Sequence, residues 1–179
     1  MMRRRMAVLL ALALAVALSG ALADAAPAFS LGGAYAWGMS EAEILAATGN
    51  VKMEKEPEQK LTYLEPDDYE FVFEGLSSEI TFGLAEDRLA LIELDFADRI
   101  ASQAVTDALS ALYGERTVVT DLTAFAELEA MSDPEEIELR DDDPQTYAAW
   151  TAEDGTQILM ITDAEDDEAR VIFYTLPKE

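Results

Sequence analysis

Apolar and polar side chains alternate in two neighbouring stretches near the middle of the chain. Residues 80–84 carry an apolar side chain at every second position, and residues 90–96 repeat this pattern. In a β-strand, a period of two places the apolar side chains on one face. Glu86 and Asp87 form a connection of hairpin length between the two stretches. The pattern predicts an antiparallel pair of strands with one face buried.

Shorter extended segments lie on both sides of this pair. They are separated by turn-forming sequences such as Glu65-Pro66-Asp67-Asp68, which no helix is expected to cross, and Glu153-Asp154-Gly155, a predicted hairpin turn. The predicted strands are residues 61–64, 69–73, 118–119, 147–151, 157–162 and 171–176. Together with the central pair, they predict antiparallel meanders.

A first helix is marked by the sequence Ser40-Glu41-Ala42-Glu43. This is a capping box, in which the serine hydroxyl and the Glu43 carboxylate each accept a backbone N–H at the start of a helix. Gly49 follows Thr48 at a position where helices commonly end. The signals predict a short helix of about two turns.

A second helix is predicted from apolar residues that recur at spacings of three and four. These residues are Ile100, Ala104, Val105, Ala108, Leu109 and Leu112. Asp98 is the predicted N-cap, and Gly114 ends the helix. A further short helix is predicted over residues 122–131, and the acidic, proline-containing residues 132–144 predict a solvated loop.

These elements define an α+β fold of antiparallel β-meanders with short helices packed on one face. We predict that residues 35–179 form a single domain, preceded by a signal peptide at 1–25 and a flexible leader at 26–34. The order of helix and strands occurs twice, which suggests two tandem helix-plus-sheet repeats, residues 35–97 and 98–179. A coincidental likeness of two α+β halves is the alternative.

The N-terminus has the features of a secretory signal peptide. Three arginines, Arg3 to Arg5, precede an apolar run at residues 6–18, and Ala-x-Ala cleavage patterns end at Ala23 and Ala25. The apolar run is shorter than the roughly 20 residues that span a bilayer. The chain has no cysteine that could carry a lipid anchor. We therefore expect an extracytoplasmic protein, secreted or periplasmic, with no stable membrane anchor after cleavage.

The sequence at the first helix resembles a known opening motif. Trp37-Gly38-Met39-Ser40, followed by Glu43-Ile44 and Gly49, is similar to the opening of small bacterial envelope domains. These are the SmpA/OmlA outer-membrane assembly lipoproteins and the β-lactamase-inhibitor-like proteins, the latter built from two tandem helix-plus-sheet units. This chain differs from both because it lacks the lipoprotein cysteine and the inhibitor disulfides. The resemblance implies a protein-binding or envelope-associated module.

The charge of the chain restricts its partners. The formal net charge is −25, and it becomes −28 when cleavage before Asp24 removes the three arginines. Nucleic acids and anionic membrane surfaces would repel such a protein, so we expect no nucleic-acid partner. The negative charge is compatible with a cationic partner, such as an envelope or secreted protein with a basic surface. The alternative is that the charge serves solubility alone.

The residue types present exclude most catalytic chemistry. Without histidine or cysteine, the chain lacks the common general base, the thiol nucleophile and the usual zinc ligands. It also has no phosphate-binding loop, and we predict no cofactor. The remaining enzymatic alternative is a secreted carboxylate hydrolase of the glycoside type, which needs two suitably separated carboxyl groups. We predict a binding or interaction module rather than an enzyme.

One acidic connection is a candidate calcium site. Hard oxygen ligands concentrate at Asp163, Glu165, Asp166 and Asp167. An EF-hand loop that began at Asp163 would need glycine at its sixth position and glutamate at its twelfth, but these are Glu168 and Tyr174. A solvated hairpin end is therefore favoured, and a calcium-binding surface protein is kept as an alternative.

A second candidate site is a turn with an aromatic residue. Asp67, Asp68 and Tyr69 place two charges and a ring at a predicted turn. Inhibitor-like modules insert such tips into the cleft of a partner. The favoured interpretation is that Tyr69 is the first core residue of its strand.

The predicted signal peptide can be tested directly. We expect N-terminal sequencing of secreted protein to begin at Asp24 or Ala26, because signal peptidase cleaves after small residues. A secreted protein that still carries Met1 or Met2 would contradict the prediction.

Overall fold

The chain is described by a computed structural model over residues 30–31, 33–58, 60–96, 100–120, 122–131, 145–163 and 168–175. Antiparallel β-sheet dominates this part of the chain, with a few short helices. No helix within these residues is long and apolar enough to cross a membrane.

The strands are β1 (Ser30–Leu31), β2 (Tyr35–Ala36), β3 (Met53–Pro57), β4 (Thr62–Pro66), β5 (Phe71–Phe73), β6 (Leu76–Ala85), β7 (Arg88–Phe96), β8 (Thr117–Val119), β9 (Gln145–Thr151), β10 (Gln157–Asp163) and β11 (Ala169–Tyr174). The helices are α1 (Glu41–Ala47), α2 (Ser102–Tyr113) and α3 (Ala126–Met131), with a 3-10 turn at Leu122–Phe125 before α3. The strands predicted from alternation and turn chemistry are confirmed, with boundaries that differ by a few residues. The separate strands β1, β2 and β3 were not predicted.

One sheet contains nine of the described strands. Its order is β3-β4-β6-β7-β11-β10-β9-β8, and β5 pairs with the beginning of β6. Every pairing in it is antiparallel. Strands that precede α2 form one half of the sheet and strands that follow it form the other. The last strands of the two halves, β7 and β11, pair at the centre.

The start of α1 follows from the capping box. The Glu43 carboxylate accepts hydrogen bonds from the Ser40 N–H at 2.8 Å and from the Ser40 hydroxyl at 2.7 Å. These bonds favour the charged carboxylate and lower the pKa of Glu43. Gly49 has a φ of +76°, in the left-handed region that glycine adopts without steric strain. The predicted first helix is confirmed.

The second helix starts later than the sequence suggested. The N-cap of α2 is Ala101, with an extended backbone at φ −60° and ψ 133°, so the prediction of Asp98 as the N-cap is wrong. Asp98 itself lies outside the described residues. The end of the helix at Gly114 is confirmed, and this glycine has a φ of +87°.

The sheet buries side chains on both of its faces. Neighbouring residues of a strand point to opposite sides. Ile92 lies on what we term the first face, in a core that includes Ile44 of α1 and Leu109 of α2. Leu91 lies on the second face, in a separate core with Leu128 of α3. The expectation of a single buried face is wrong, and α3 does not meet the expectation that the short helices pack on one face.

Continuous apolar runs in the central strands explain the two-sided burial. Leu91 and Ile92 are both 0% exposed, and so are Ile158, Leu159 and Ile172. Strands covered on both faces read as near-continuous apolar runs rather than as a strict alternation. The side chains buried on the two faces of the sheet therefore belong to adjacent residues of the same strands.

A hydrogen bond between side chains ties the segment before α1 to the far half of the sheet. The indole N–H of Trp37 donates to the hydroxyl of Thr156 at 2.8 Å, and Thr156 is almost completely buried. Thr156 lies in the turn between β9 and β10, which belongs to the half that follows α2. The bond therefore joins residues 119 positions apart in the chain.

Replacing Thr156 by valine tests this tie. Thr156→Val keeps the shape of the side chain but removes the acceptor, which costs about 1 kcal/mol. We expect the thermal midpoint of unfolding to fall by about 3 °C. Thr151→Val is the control, because Thr151 is exposed and, among the described residues, its hydroxyl donates to the side chain of Gln157 alone, at 3.3 Å. Equal midpoints for the two variants would contradict the prediction.

Candidate functional site

The second face of the sheet is divided into an apolar part and an acidic part. The apolar part is covered by Phe125 and by Leu128 of α3. The acidic part lies on β3, β4, β6 and β7, where six carboxylates point to the same side of the sheet as Tyr63 and Leu91. We call this part the acidic face, and it consists of Glu54, Glu56, Glu65, Glu79, Glu93 and Asp95.

Strand register places these carboxylates side by side. Glu54 is directly opposite Glu65 across β3 and β4, and Glu79 is directly opposite Asp95 across β6 and β7. Residues opposite each other in an antiparallel pair have their Cβ atoms about 5 Å apart, and like charges in such positions destabilise the sheet. The acidic face therefore concentrates negative charge on a surface of regular strands.

The surroundings of Glu65 disfavour its charged form. Its pKa is raised, first by partial burial and then by the neighbouring carboxylates Glu56, Glu54, Glu79 and Asp95. Both causes disfavour the ionised carboxylate. A positive charge placed near Glu65 would therefore be favourable.

Arg170 neutralises the deepest part of the face. It lies on β11 directly opposite Asp95 of β7. Its Nε atom is 3.0 Å from a carboxylate oxygen of Glu93 and 3.0 Å from one of Asp95. The Glu93 side chain is only 12% exposed, whereas that of Asp95 is 44% exposed. The guanidinium thus compensates the most buried carboxylate of the face.

The remaining carboxylates differ in how they are paired. Lys52, at the corner of the face, is 3.7 Å from Glu54 and 2.5 Å from Asp67. Among the described residues, Glu56, Glu65 and Glu79 have no cationic nitrogen within 4.0 Å. All three residues are exposed. They are the carboxylates that an external cation can approach directly.

The turn predicted as a binding tip is arranged differently. The Asp67 carboxylate pairs with Lys52, and its backbone N–H donates to the Lys52 carbonyl at 2.8 Å. Asp68 is exposed, with a left-handed φ of +51°. Tyr69 is half-buried, packs against the first-face core and shares a hydrogen bond of 3.1 Å between its hydroxyl and that of Tyr35. Its ring therefore belongs to the interior side of the turn, two residues before β5.

The candidate calcium ligands are only partly described. Asp163 is the last residue of β10, and its N–H donates to the Glu168 carbonyl at 3.1 Å. Glu165, Asp166 and Asp167 lie outside the described residues. Within the part of the chain that the structure covers, no group of three or more Asp, Glu, His or Cys is arranged to hold a metal ion.

No protein-family model, curated protein or solved structure matches this chain.

The acidic face itself was not predicted from the sequence. Glu93 and Asp95 alternate with the apolar residues of β7, which is a visible signal for a polar strand face. Glu65 was assigned to a turn, whereas it lies in β4. The face becomes visible only when the register of four strands is known.

Removing the charge of Glu65 should stabilise the fold. Because its folded-state pKa is raised, protonation favours folding, and this contribution is lost as the pH rises through that pKa. We expect Glu65→Gln to raise the thermal midpoint by about 1 °C at pH 7, the scale of one unfavourable cross-strand pair.

The gain should shrink as the pH is lowered through the raised pKa of Glu65, since the wild-type carboxylate then becomes protonated. Glu153→Gln, in the exposed turn between β9 and β10, makes the same charge change and serves as the control. Thermal melts in which both variants gain equally at every pH would show that general charge reduction, and not the acidic face, is responsible.

Proposed function

We propose that this chain is an exported, non-catalytic interaction module of the bacterial envelope or exterior. Its acidic face binds a partner protein that has a basic surface. The observation that carries this proposal is the row of exposed carboxylates, Glu56, Glu65 and Glu79, on a regular sheet with no cation beside them in the described residues.

Charge complementarity supports a cationic partner. The chain carries a formal net charge of −25, so long-range electrostatics attract basic proteins and repel nucleic acids and anionic lipids. On the acidic face, the repulsion between Glu54 and Glu65 is relieved when a partner places lysine or arginine between them. Relief of this repulsion in the complex adds to the free energy of binding.

The sheet provides a rigid support for such binding. The residues on the opposite side of the same strands, such as Phe82, Ile92 and Leu94, are 0% exposed and packed in the first-face core. The strands anchored in this way hold the backbone positions of the carboxylates at a fixed spacing, so binding does not have to order the backbone.

We further propose that the chain contains two tandem helix-plus-sheet units, residues 35–97 and 98–179. Two observations support this duplication. Each half has a helix followed by strands that form a meander, and the sheet order reads as four strands of one half followed by the four strands of the other in reverse. The motif around Trp37 to Ser40, which resembles SmpA/OmlA and β-lactamase-inhibitor-like domains, lies at the start of α1.

Export is part of the same proposal. Arg3 to Arg5 and the apolar residues 6–18 have the order of a signal peptide, and this order supports a location outside the cytoplasm. A partner in that compartment is an envelope or secreted protein. The alternatives, a carboxylate hydrolase and a calcium-binding protein, predict retention of a polysaccharide or of calcium rather than of a basic protein.

The test compares two triple variants with equal charge. In the first, Glu56, Glu65 and Glu79 are all replaced by glutamine. In the matched control, the exposed residues Glu74, Glu115 and Glu153 are replaced by glutamine instead. Each protein is immobilised and exposed to an extract of the native envelope fraction at low and moderate salt.

We expect the wild type and the control to retain a basic protein that the first variant loses. Retention should weaken with salt, since exposed charge pairs are screened. Quantitative mass spectrometry of the eluted proteins measures the difference. If the two triple variants retain the same proteins, or if the retained proteins are acidic, the acidic face is not the binding site.

A further inference from the structure

Arg170 lies inside the acidic face but comes from the other half of the sheet. It is on β11, whereas Glu93 and Asp95 are on β7 of the first half. Its side chain is 40% exposed, and its Nε atom is 3.0 Å from one oxygen of each carboxylate. Two of the six carboxylates of the face are therefore occupied by a guanidinium of the protein itself.

This contact divides the face into two parts. A cation from outside reaches Glu56, Glu65 and Glu79 without breaking an ion pair of the described structure. To reach Glu93 or Asp95, it must first displace Arg170. A guanidinium is well suited to hold that position, because it presents donors in a fixed planar fork to two acceptors at once.

We propose that Arg170 is a specificity-determining residue of the acidic face. By occupying Glu93 and Asp95, it limits a basic partner to the carboxylates on β3, β4 and β6 and excludes partners whose positive charge extends across the centre of the sheet. This inference rests on the proposed function of the acidic face. It adds a residue that selects among cationic partners.

A purely structural role is the competing explanation. Arg170 joins β11 to β7, so the same ion pairs could serve only to hold the two halves together. The two roles differ in what happens when the guanidinium is removed. A selective residue releases Glu93 and Asp95 for an external cation and strengthens its binding, whereas a purely structural tie affects stability alone.

The experiment measures the affinity of an arginine hexapeptide for matched variants. Arg170→Gln removes the guanidinium, and Arg116→Gln is the control, because Arg116 is exposed just before β8 and has no ion pair among those described. Both variants change the net charge equally. We expect Arg170→Gln to bind the peptide about fivefold more tightly than Arg116→Gln in calorimetry, the scale of one or two exposed ion pairs.

A second substitution locates the effect. Asp95→Asn in the Arg170→Gln background should remove most of the added affinity, since it deletes one of the released carboxylates. Arg170→Lys retains the charge without the planar fork, so we expect an affinity between those of the wild type and Arg170→Gln. This variant keeps the test decisive if Arg170→Gln does not fold.

The outcomes separate this inference from the proposed function. If the wild type binds the peptide through Glu56, Glu65 and Glu79 but Arg170→Gln binds no better than Arg116→Gln, the role of Arg170 is overturned and the acidic face stands. If Arg170→Gln has a lower thermal midpoint but no gain in affinity, the role of Arg170 in specificity is also overturned, and the residue has a structural role. If neither the wild type nor Arg170→Gln binds, both proposals fail.

Discussion

The pairing of β7 with β11 is the interaction on which the rest of the structure depends. Six residue pairs, from Phe96 and Ala169 to Leu91 and Tyr174, join the two halves of the sheet. On the first face this seam packs Ile92 and Phe173 against the core beneath α1 and α2, and both side chains are 0% exposed. On the second face it buries Leu91 and Ile172. Burial of a large apolar side chain contributes about 2 kcal/mol, so the seam is stabilised from both sides.

The elements that sequence predicted are those with short-range signals. The capping box of Ser40 and Glu43, the glycines that end α1 and α2, and the alternation in β6 and β7 act within a few residues, and each is confirmed. The N-cap of α2 was placed at Asp98 because aspartate is a good cap, but the helix begins only after Ala101. Burial on both faces was missed because Leu91 was treated as a polar-side position of an alternating pattern, although it lies in a continuous apolar run.

The candidate site was harder to predict because its carboxylates become neighbours only through the pairing register of several strands. Glu54 and Glu65 are opposed through the β3–β4 hairpin, whereas Asp95 and Arg170 are 75 residues apart in the chain and meet only at the seam. With 37 acidic residues, composition alone cannot distinguish a functional carboxylate from a solubilising one. The turn at Asp67 to Tyr69 had a clear local signal, yet its ring lies against the first-face core and its first carboxylate pairs with Lys52.

Depth of burial explains which carboxylates of the acidic face are paired within the protein. Glu93 has the least exposed side chain of the ion-paired carboxylates of the face, and an ionised carboxylate at that depth loses hydration that a cation or hydrogen-bond donors must replace. The buried position of Glu93 beside the β7–β11 pairing therefore explains why the guanidinium of Arg170 lies next to it. Toward β3 and β4 the face is exposed, and water reaches Glu56 and Glu65, which have no cation beside them in the described residues. The same gradient of burial that stabilises the centre of the sheet thus leaves its outer carboxylates accessible to another molecule.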